Sequence, residues 1–135
     1  MNGIGQPERA TQNRVIALFR DELKYRYLGD WTDRDGNSNI EESLLGEWLT
    51  KSGNTPEQIS VALRKLRIEA DNHNRRLYDN NQAVYSLLRY GVPVKIEAGK
   101  VTETVRLVNW QEPEKNDFAI AEEVTLMGNH ERRPD

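Results

Sequence analysis

The sequence predicts an α+β fold in which several helices pack on a small antiparallel β-meander. Up to residue 90, apolar side chains recur at helical spacing and are interrupted by residues that start and stop helices. From Gly91 onward apolar and polar residues alternate, which is typical of strands separated by turns. Helices followed by an antiparallel sheet indicate a layer of helices over one face of that sheet.

Two amphipathic helices are predicted in the first part of the chain. Residues 1–10 contain Gly and Pro and are expected to form a loose amino-terminal segment. Residues 12–27 carry an apolar stripe at helical spacing and predict the first helix, which a loop follows. Ser38 and Glu41 have the spacing of a capping box, and they predict the start of a second helix that ends at Gly53.

Two more helices and three strands complete the predicted fold. Thr55 and Gln58 repeat the capping-box spacing with a proline between them, and they predict a third helix through Leu66. Its polar continuation, residues 69–81, is either an exposed helix end or a loop. A fourth helix, residues 81–90, precedes the sheet. The predicted strands are residues 92–97 and 101–110, which form a hairpin, and residues 117–126, which pair with 101–110.

Alternation along the third predicted strand separates its two faces. One face carries Phe118, Ile120, Glu122, Val124 and Leu126, and the other carries Ala119, Ala121, Glu123 and Thr125. The apolar face is expected to face the core, with Phe118 and Ile120 packed against helices. Glu123 then points to the small and polar side, where a groove could lie.

Composition limits the class of protein. The chain has 135 residues, 36% of them hydrophobic and 30% charged, so it is one small domain or part of a larger one. The absence of cysteine excludes a disulfide framework and a thiolate metal site. A net charge of -3 argues against a whole surface built for nucleic acid, although it allows a local basic cleft. No apolar run approaches the roughly 20 residues that span a bilayer, and no secretory signal begins the sequence, so a soluble cytoplasmic protein is expected.

Four phrases in the second half of the chain carry a family resemblance. They are Asn-Asn-Gln-Ala-Val-Tyr-Ser-Leu-Leu-Arg-Tyr-Gly-Val at residues 80–92, Val-Asn-Trp at 108–110, Asn-Asp-Phe at 116–118 and Arg-Arg-Pro-Asp at 132–135. Together they resemble the amino-terminal nuclease domain of the type I restriction enzyme R subunit (HsdR), a member of the PD-(D/E)xK superfamily. The resemblance is best from residue 80 onward, is looser from residue 40, and does not place residues 1–39. It implies that residues 11–135 are part of a nuclease domain, the first half of a restriction-endonuclease-like fold.

The resemblance also assigns candidate site residues. It implies that Asp135 is the first carboxylate ligand of a catalytic Mg²⁺, because the Asp of this motif binds the metal in the family. An acidic residue near the start of an early helix often joins the metal shell, and Glu41 is the better match to it. A capping box with Ser38 explains Glu41 at least as well, so both roles stay open. Glu123 stands where the family usually carries a Gln that faces the active site, so it is the third catalytic candidate.

Arg132 and Arg133 lie just before the predicted metal ligand Asp135 in the sequence. Their guanidinium groups could each hold a DNA phosphate through two parallel hydrogen bonds. The Glu-x-Lys half of the motif would follow Asp135 on the next strand, so the chain by itself is expected to be inactive. No Gly-x-x-x-x-Gly-Lys-Ser/Thr phosphate loop occurs in the sequence, and ATP binding is expected only elsewhere in the full subunit.

The resemblance implies a function for the parent subunit. That function is Mg²⁺-dependent cleavage of unmodified double-stranded DNA, coupled to ATP hydrolysis and DNA translocation. The implied partners are double-stranded DNA and the methylation and specificity subunits of the restriction complex. The alternative is a non-catalytic module, a helical layer on a small meander, that docks other subunits of a large assembly.

Overall fold

The computed structural model describes residues 5–126 and confirms the α+β class. These residues divide into two compact units, residues 5–39 with 118–126 (the first unit) and residues 40–117 (the second unit). The elements in chain order are α1 (Gly5–Ala17), β1 (Arg26–Asp30), α2 (Glu42–Lys51), α3 (Pro56–Ala70), α4 (Leu77–Tyr90), β2 (Val92–Val94), β3 (Glu103–Val105) and β4 (Ala119–Glu122). A π-helical turn, Leu18–Glu22, follows α1, and a 3-10 turn, Pro113–Lys115, precedes β4. Within residues 5–126 no helix is both long and apolar enough to cross a membrane.

The first helix differs from its prediction at both ends. Helix α1 begins at Gly5, so residues 5–10, which were expected to be loose, are helical. It passes into the π-helical turn, and β1 replaces the end of the predicted helix and part of the predicted loop. The apolar stripe misplaced these boundaries because most of α1 is polar and exposed, with Ile16 as its buried hydrophobic residue. Such a helix gives a weak periodic signal.

The predicted meander is wrong in one pairing. Strand β4 pairs with β1, and the two strands are parallel, with Arg26 opposite Ala119 and Asp30 opposite Glu122. The sequence predicted that residues 117–126 pair with residues 101–110, but in the described sheets β4 pairs with β1 only. Two parallel strands need a crossover connection rather than a tight turn, and here that connection contains the whole second unit. The described sheets are therefore two separate strand pairs, β1–β4 and β2–β3.

Phe118 does not occupy the core position predicted for it. Its side chain is 42% exposed. Its ring lies 5.1 Å from that of Tyr25, which in turn meets the edge of Phe19 at 4.8 Å between centroids. The three rings form a partly exposed aromatic cluster in the first unit.

One predicted capping box is present and the other is absent. At the start of α3, the Gln58 backbone N–H donates to Thr55 Oγ1 at 3.2 Å, and the Thr55 N–H donates to Gln58 Oε1 at 2.9 Å. At the start of α2, Glu41 is itself the N-cap residue and makes no capping hydrogen bond with its side chain. The Ser38 hydroxyl instead donates to Asn39 Oδ1. The Ser38–Glu41 box is wrong because the helix starts three residues later than that spacing requires.

The core of the second unit is built around α3. This helix packs against α2, α4 and both strands of the predicted hairpin, which is confirmed in a shorter form as β2–β3 with Val92 opposite Val105. The buried residues of this core are Leu49, Ala62, Leu66, Val92, Val94, Val105 and Leu107. Helix α4 begins at Leu77, four residues earlier than predicted. Only residues 71–76 of the polar stretch between α3 and α4 are outside a helix.

Gly91 joins α4 to β2 in a conformation that requires glycine. Its φ of 89° and ψ of 172° lie in a region that other residues avoid, and its N–H donates to Leu87 O at 2.9 Å. A Cβ at this position would lie 2.5 Å from Thr104 Cγ2 and 3.1 Å from Val105 O. The helix therefore ends where the chain must pass close to β3.

Candidate functional site

A groove of about 990 Å³ in the first unit lies between one face of α1 and residues 120–123. Both acidic residues at the end of β4, Glu122 and Glu123, line it. The site is thus formed by segments from the two ends of the described chain, held together by the β1–β4 pairing.

Glu122 is buried, and both of its oxygens are hydrogen-bonded. Arg9 Nη1 donates to Oε1 and Tyr27 Oη donates to Oε2, each at 2.6 Å. The hydrogen bond from Tyr27, and then the contact with Arg9, hold the pKa of Glu122 below its ordinary value, although burial acts in the opposite direction. The same hydrogen bond, with burial, raises the pKa of Tyr27. Glu122 is therefore an ionised group that ties α1 and β1 to β4.

Glu123 reaches the same groove by a left-handed backbone conformation. Its φ is 55°, which is uncommon for a residue with a side chain. Gln12 Nε2 donates to Glu123 Oε1 at 3.0 Å. Simple strand alternation put Glu122 and Glu123 on opposite faces, and that prediction fails because β4 ends at Glu122 and the backbone turns there. The expectation that Glu123 borders a groove agrees with the structure.

Three residues of this site were not identified in the sequence. Arg9 and Gln12 are three residues apart on α1, which places them on one face of a helix, and each contacts one of the two glutamates. That spacing was the available signal, but it is common among polar residues. Tyr27 gave no signal, because the segment that contains it was expected to be the end of a helix.

The predicted site residues are distributed over both units and over residues outside the described range. Glu41 belongs to the second unit, at the start of α2, whereas Glu123 belongs to the first. Asp135, Arg132 and Arg133 lie outside the described residues. Across residues 5–126 no group of three His, Cys, Asp or Glu side chains is placed to hold a metal ion. Glu123 is half-buried, and its carboxylate oxygens are of the donor type that Mg²⁺ prefers.

A model of the family "Type I restriction enzyme R protein N terminus" (HSDR_N) matches residues 5–135. The chain belongs to this family. The match covers the groove with Glu122 and Glu123, the whole second unit and Asp135, and it confirms the resemblance given by the sequence phrases. This protein is therefore the amino-terminal part of a type I restriction enzyme R subunit, a subunit that works in a complex with others. No curated protein and no solved structure matched the chain.

Proposed function

We propose that this part of the R subunit contributes the first carboxylates of a Mg²⁺-dependent nuclease site that cleaves double-stranded DNA. The observation that carries the proposal is the family match, which runs over residues 5–135 and so includes both the groove and Asp135. The match supports the restriction subunit, and the cleavage chemistry is our inference from it.

Asp135 and Glu123 have different roles in this proposal. Asp135 is the first metal ligand, and we propose that Glu123 faces the same metal. The structure supports this role only in that Glu123 lines the groove and is held there by Gln12. A bound Mg²⁺ activates water and stabilises negative charge on the phosphate. The family usually has Gln at the position of Glu123, so the acid adds charge that strengthens cation binding but repels phosphate. Glu122 is not a ligand in this proposal, because Arg9 and Tyr27 occupy both of its oxygens.

The remaining groups act on DNA or belong to the rest of the subunit. Arg132 and Arg133 hold DNA phosphates through paired hydrogen bonds. The Glu-x-Lys carboxylate and lysine follow Asp135 in the family motif, so cleavage belongs to the parent subunit assembled with its methylation and specificity partners. ATP hydrolysis and translocation belong to that parent subunit as well.

The test uses the full-length subunit in its complex. Asp135→Ala should abolish DNA cleavage and leave ATP-driven translocation intact, because the motor has its own phosphate site and metal. Asp35→Ala, which removes an exposed loop carboxylate, is the matched control and should change neither activity. Loss of translocation together with cleavage would give Asp135 a structural role. Unchanged cleavage would favour the docking-module alternative.

Glu41→Gln tests the second predicted metal ligand. The Glu41 side chain makes no capping hydrogen bond, so an amide at this position removes no helix cap. Reduced cleavage with an unchanged melting temperature, partly restored by raising the Mg²⁺ concentration, is the result expected of a metal ligand. Cleavage equal to wild type would remove Glu41 from the metal site.

A further inference from the structure

A second groove, of about 520 Å³, lies wholly within the second unit. It is lined by the end of α2 and the loop after it, by the end of α4, and by β3 with the segment that follows it. Its volume falls in the range of small-ligand sites. Two tryptophans and two arginines line it, and its lining contains no acidic side chain. This composition differs from the carboxylate groove of the first unit.

Both tryptophan rings are fixed by their only polar atom. Trp48 Nε1 donates to Lys115 O, and Trp110 Nε1 donates to Leu88 O, each at 2.9 Å. Trp110 nevertheless remains 51% exposed. A large indole held in one orientation with half its surface exposed offers aromatic surface to a flat ligand.

The loop that carries Trp110 is itself held in place. Asn116 Oδ1 accepts from the Asn109 N–H at 2.8 Å, and Asn116 Nδ2 donates to Asn109 O at 2.9 Å. Asn109 Oδ1 accepts from the Glu112 N–H at 2.9 Å. These bonds close the loop on itself, so the indole is positioned before any ligand arrives, and less ordering is needed on binding.

The two arginines of the groove have no acidic partner among residues 5–126. Arg89 lies over Trp110 and Tyr90, with its guanidinium carbon 5.4 Å and 5.7 Å from the ring centroids. Arg106 Nη1 donates to Tyr90 O at 3.3 Å. Three other arginines of the same unit pair with carboxylates, Arg67 with Glu42, Arg75 with Glu69 and Arg76 with Asp79, whereas Arg64 lies exposed on α3 away from this groove. In a chain of net charge -3, two neighbouring guanidinium groups beside an acid-free groove indicate an anionic ligand.

We propose that this groove binds a nucleotide, with the base stacked on Trp110 and the phosphate held by Arg89 and Arg106. Stacking on aromatic side chains beside a basic track is how proteins bind unpaired nucleic acid, and guanidinium groups match phosphate geometry. The groove does not use the carboxylates of the proposed nuclease site, so it stands whether or not that proposal holds. The nucleotide comes from an unpaired DNA strand or is free in solution, and the two sources share this chemistry.

Tryptophan fluorescence of the whole chain tests the proposal. The probes are an eight-residue oligothymidylate, thymidine monophosphate, inorganic phosphate and a duplex, each titrated at low salt. Quenching by the oligonucleotide, with weaker or no response to phosphate and duplex, is the expected result. Equal affinity for the mononucleotide and the oligonucleotide would identify free nucleotide as the source. No binding, or binding as tight to phosphate or duplex, would overturn the proposal.

Variants locate the binding in this groove. Arg89→Gln and Arg106→Gln should each weaken oligonucleotide binding about tenfold and flatten its salt dependence. Trp110→Ala should also weaken it about tenfold, whereas Trp110→Phe, which keeps an aromatic face, should retain most of the affinity. Arg64→Gln removes the same charge from an exposed position of α3 and should change affinity less than twofold. If Arg106→Gln lowers the melting temperature, Arg106→Lys is measured in its place. An equal loss in Arg64→Gln would mean that net charge, and not this groove, holds the strand.

Discussion

Two adjacent glutamates at the end of β4 occupy the same groove with different surroundings. Glu122 is buried and has both oxygens bonded, to Arg9 and to Tyr27. Glu123 is half-buried and is contacted by Gln12. Because its pKa is lowered, ionised Glu122 stabilises the fold relative to its protonated form, whereas the more accessible Glu123 is better suited to bind a cation.

Glu122 should give the chain an acid-dependent stability. Because its folded pKa lies below that of the unfolded chain, its contribution is fully present above about pH 4.3 and is lost as pH falls through the folded pKa. In Glu122→Gln that contribution should be absent, so the variant should be less stable at pH 6 and lose less on acidification. Urea midpoints between pH 6 and pH 3 measure this. Glu47→Gln, on the exposed surface of α2, should keep the wild-type pH dependence. If the urea midpoints of Glu122→Gln and wild type fall in parallel with pH, Glu122 is not the source of the acid dependence.

Gly91 should be among the positions least tolerant of a side chain. Gly91→Ala combines an unfavourable φ with a Cβ 2.5 Å from Thr104 Cγ2, so it should lower the free energy of unfolding by more than about 2 kcal/mol. Gly99→Ala is the matched control: its φ is 84°, but nothing lies within 4 Å of the added atom. It should cost about 1 kcal/mol from backbone strain alone. Equal losses in urea denaturation would show that the contact with β3 contributes nothing.

Among the elements, those whose contacts join residues close in sequence were predicted correctly. The Thr55 capping box and the β2–β3 hairpin both depend on residues close in sequence, and both are present. The β1–β4 pairing depends on strands separated by the whole second unit, so nothing in either strand indicates its partner. The groove followed the same rule. Glu123 was found from the family pattern, but Arg9 and Tyr27 reach Glu122 from segments more than 90 residues away in sequence.

The strand faces predicted for residues 117–126 lead to a measurable correction. A core phenylalanine costs about 3–5 kcal/mol on truncation to Ala, but Phe118 is 42% exposed and packs mainly on Tyr25. Phe118→Ala should therefore cost about 1–2 kcal/mol. Leu49→Ala removes a fully buried side chain of α2 and should cost about 2–5 kcal/mol. Chemical denaturation measures the free energy of unfolding of both variants. A larger loss for Phe118→Ala than for Leu49→Ala would mean that Phe118 is a core residue.

For the molecule as a whole, the chain order places one compact unit between two paired strands of the other. The buried core cluster and the partly buried residues packed on it all lie in residues 40–117. The first unit depends instead on β1 meeting β4, strands that enter from opposite sides of that insertion in the chain. The second unit thus carries its own core, whereas the first needs both of its segments.

This difference predicts how the parts behave when separated. Residues 40–117 expressed alone should melt in one cooperative transition, because the core of Leu49, Leu66 and the β2–β3 valines is complete within them. A segment of this size buries a modest core, so its stability should be small and Leu49→Ala should unfold it at 25 °C. Residues 5–39 alone should show no cooperative transition, because β1 lacks its partner and Arg9 and Tyr27 lose Glu122. Circular dichroism melts measure both segments. A non-cooperative melt of residues 40–117 would mean that its core needs the first unit, and the two units would then fold as one.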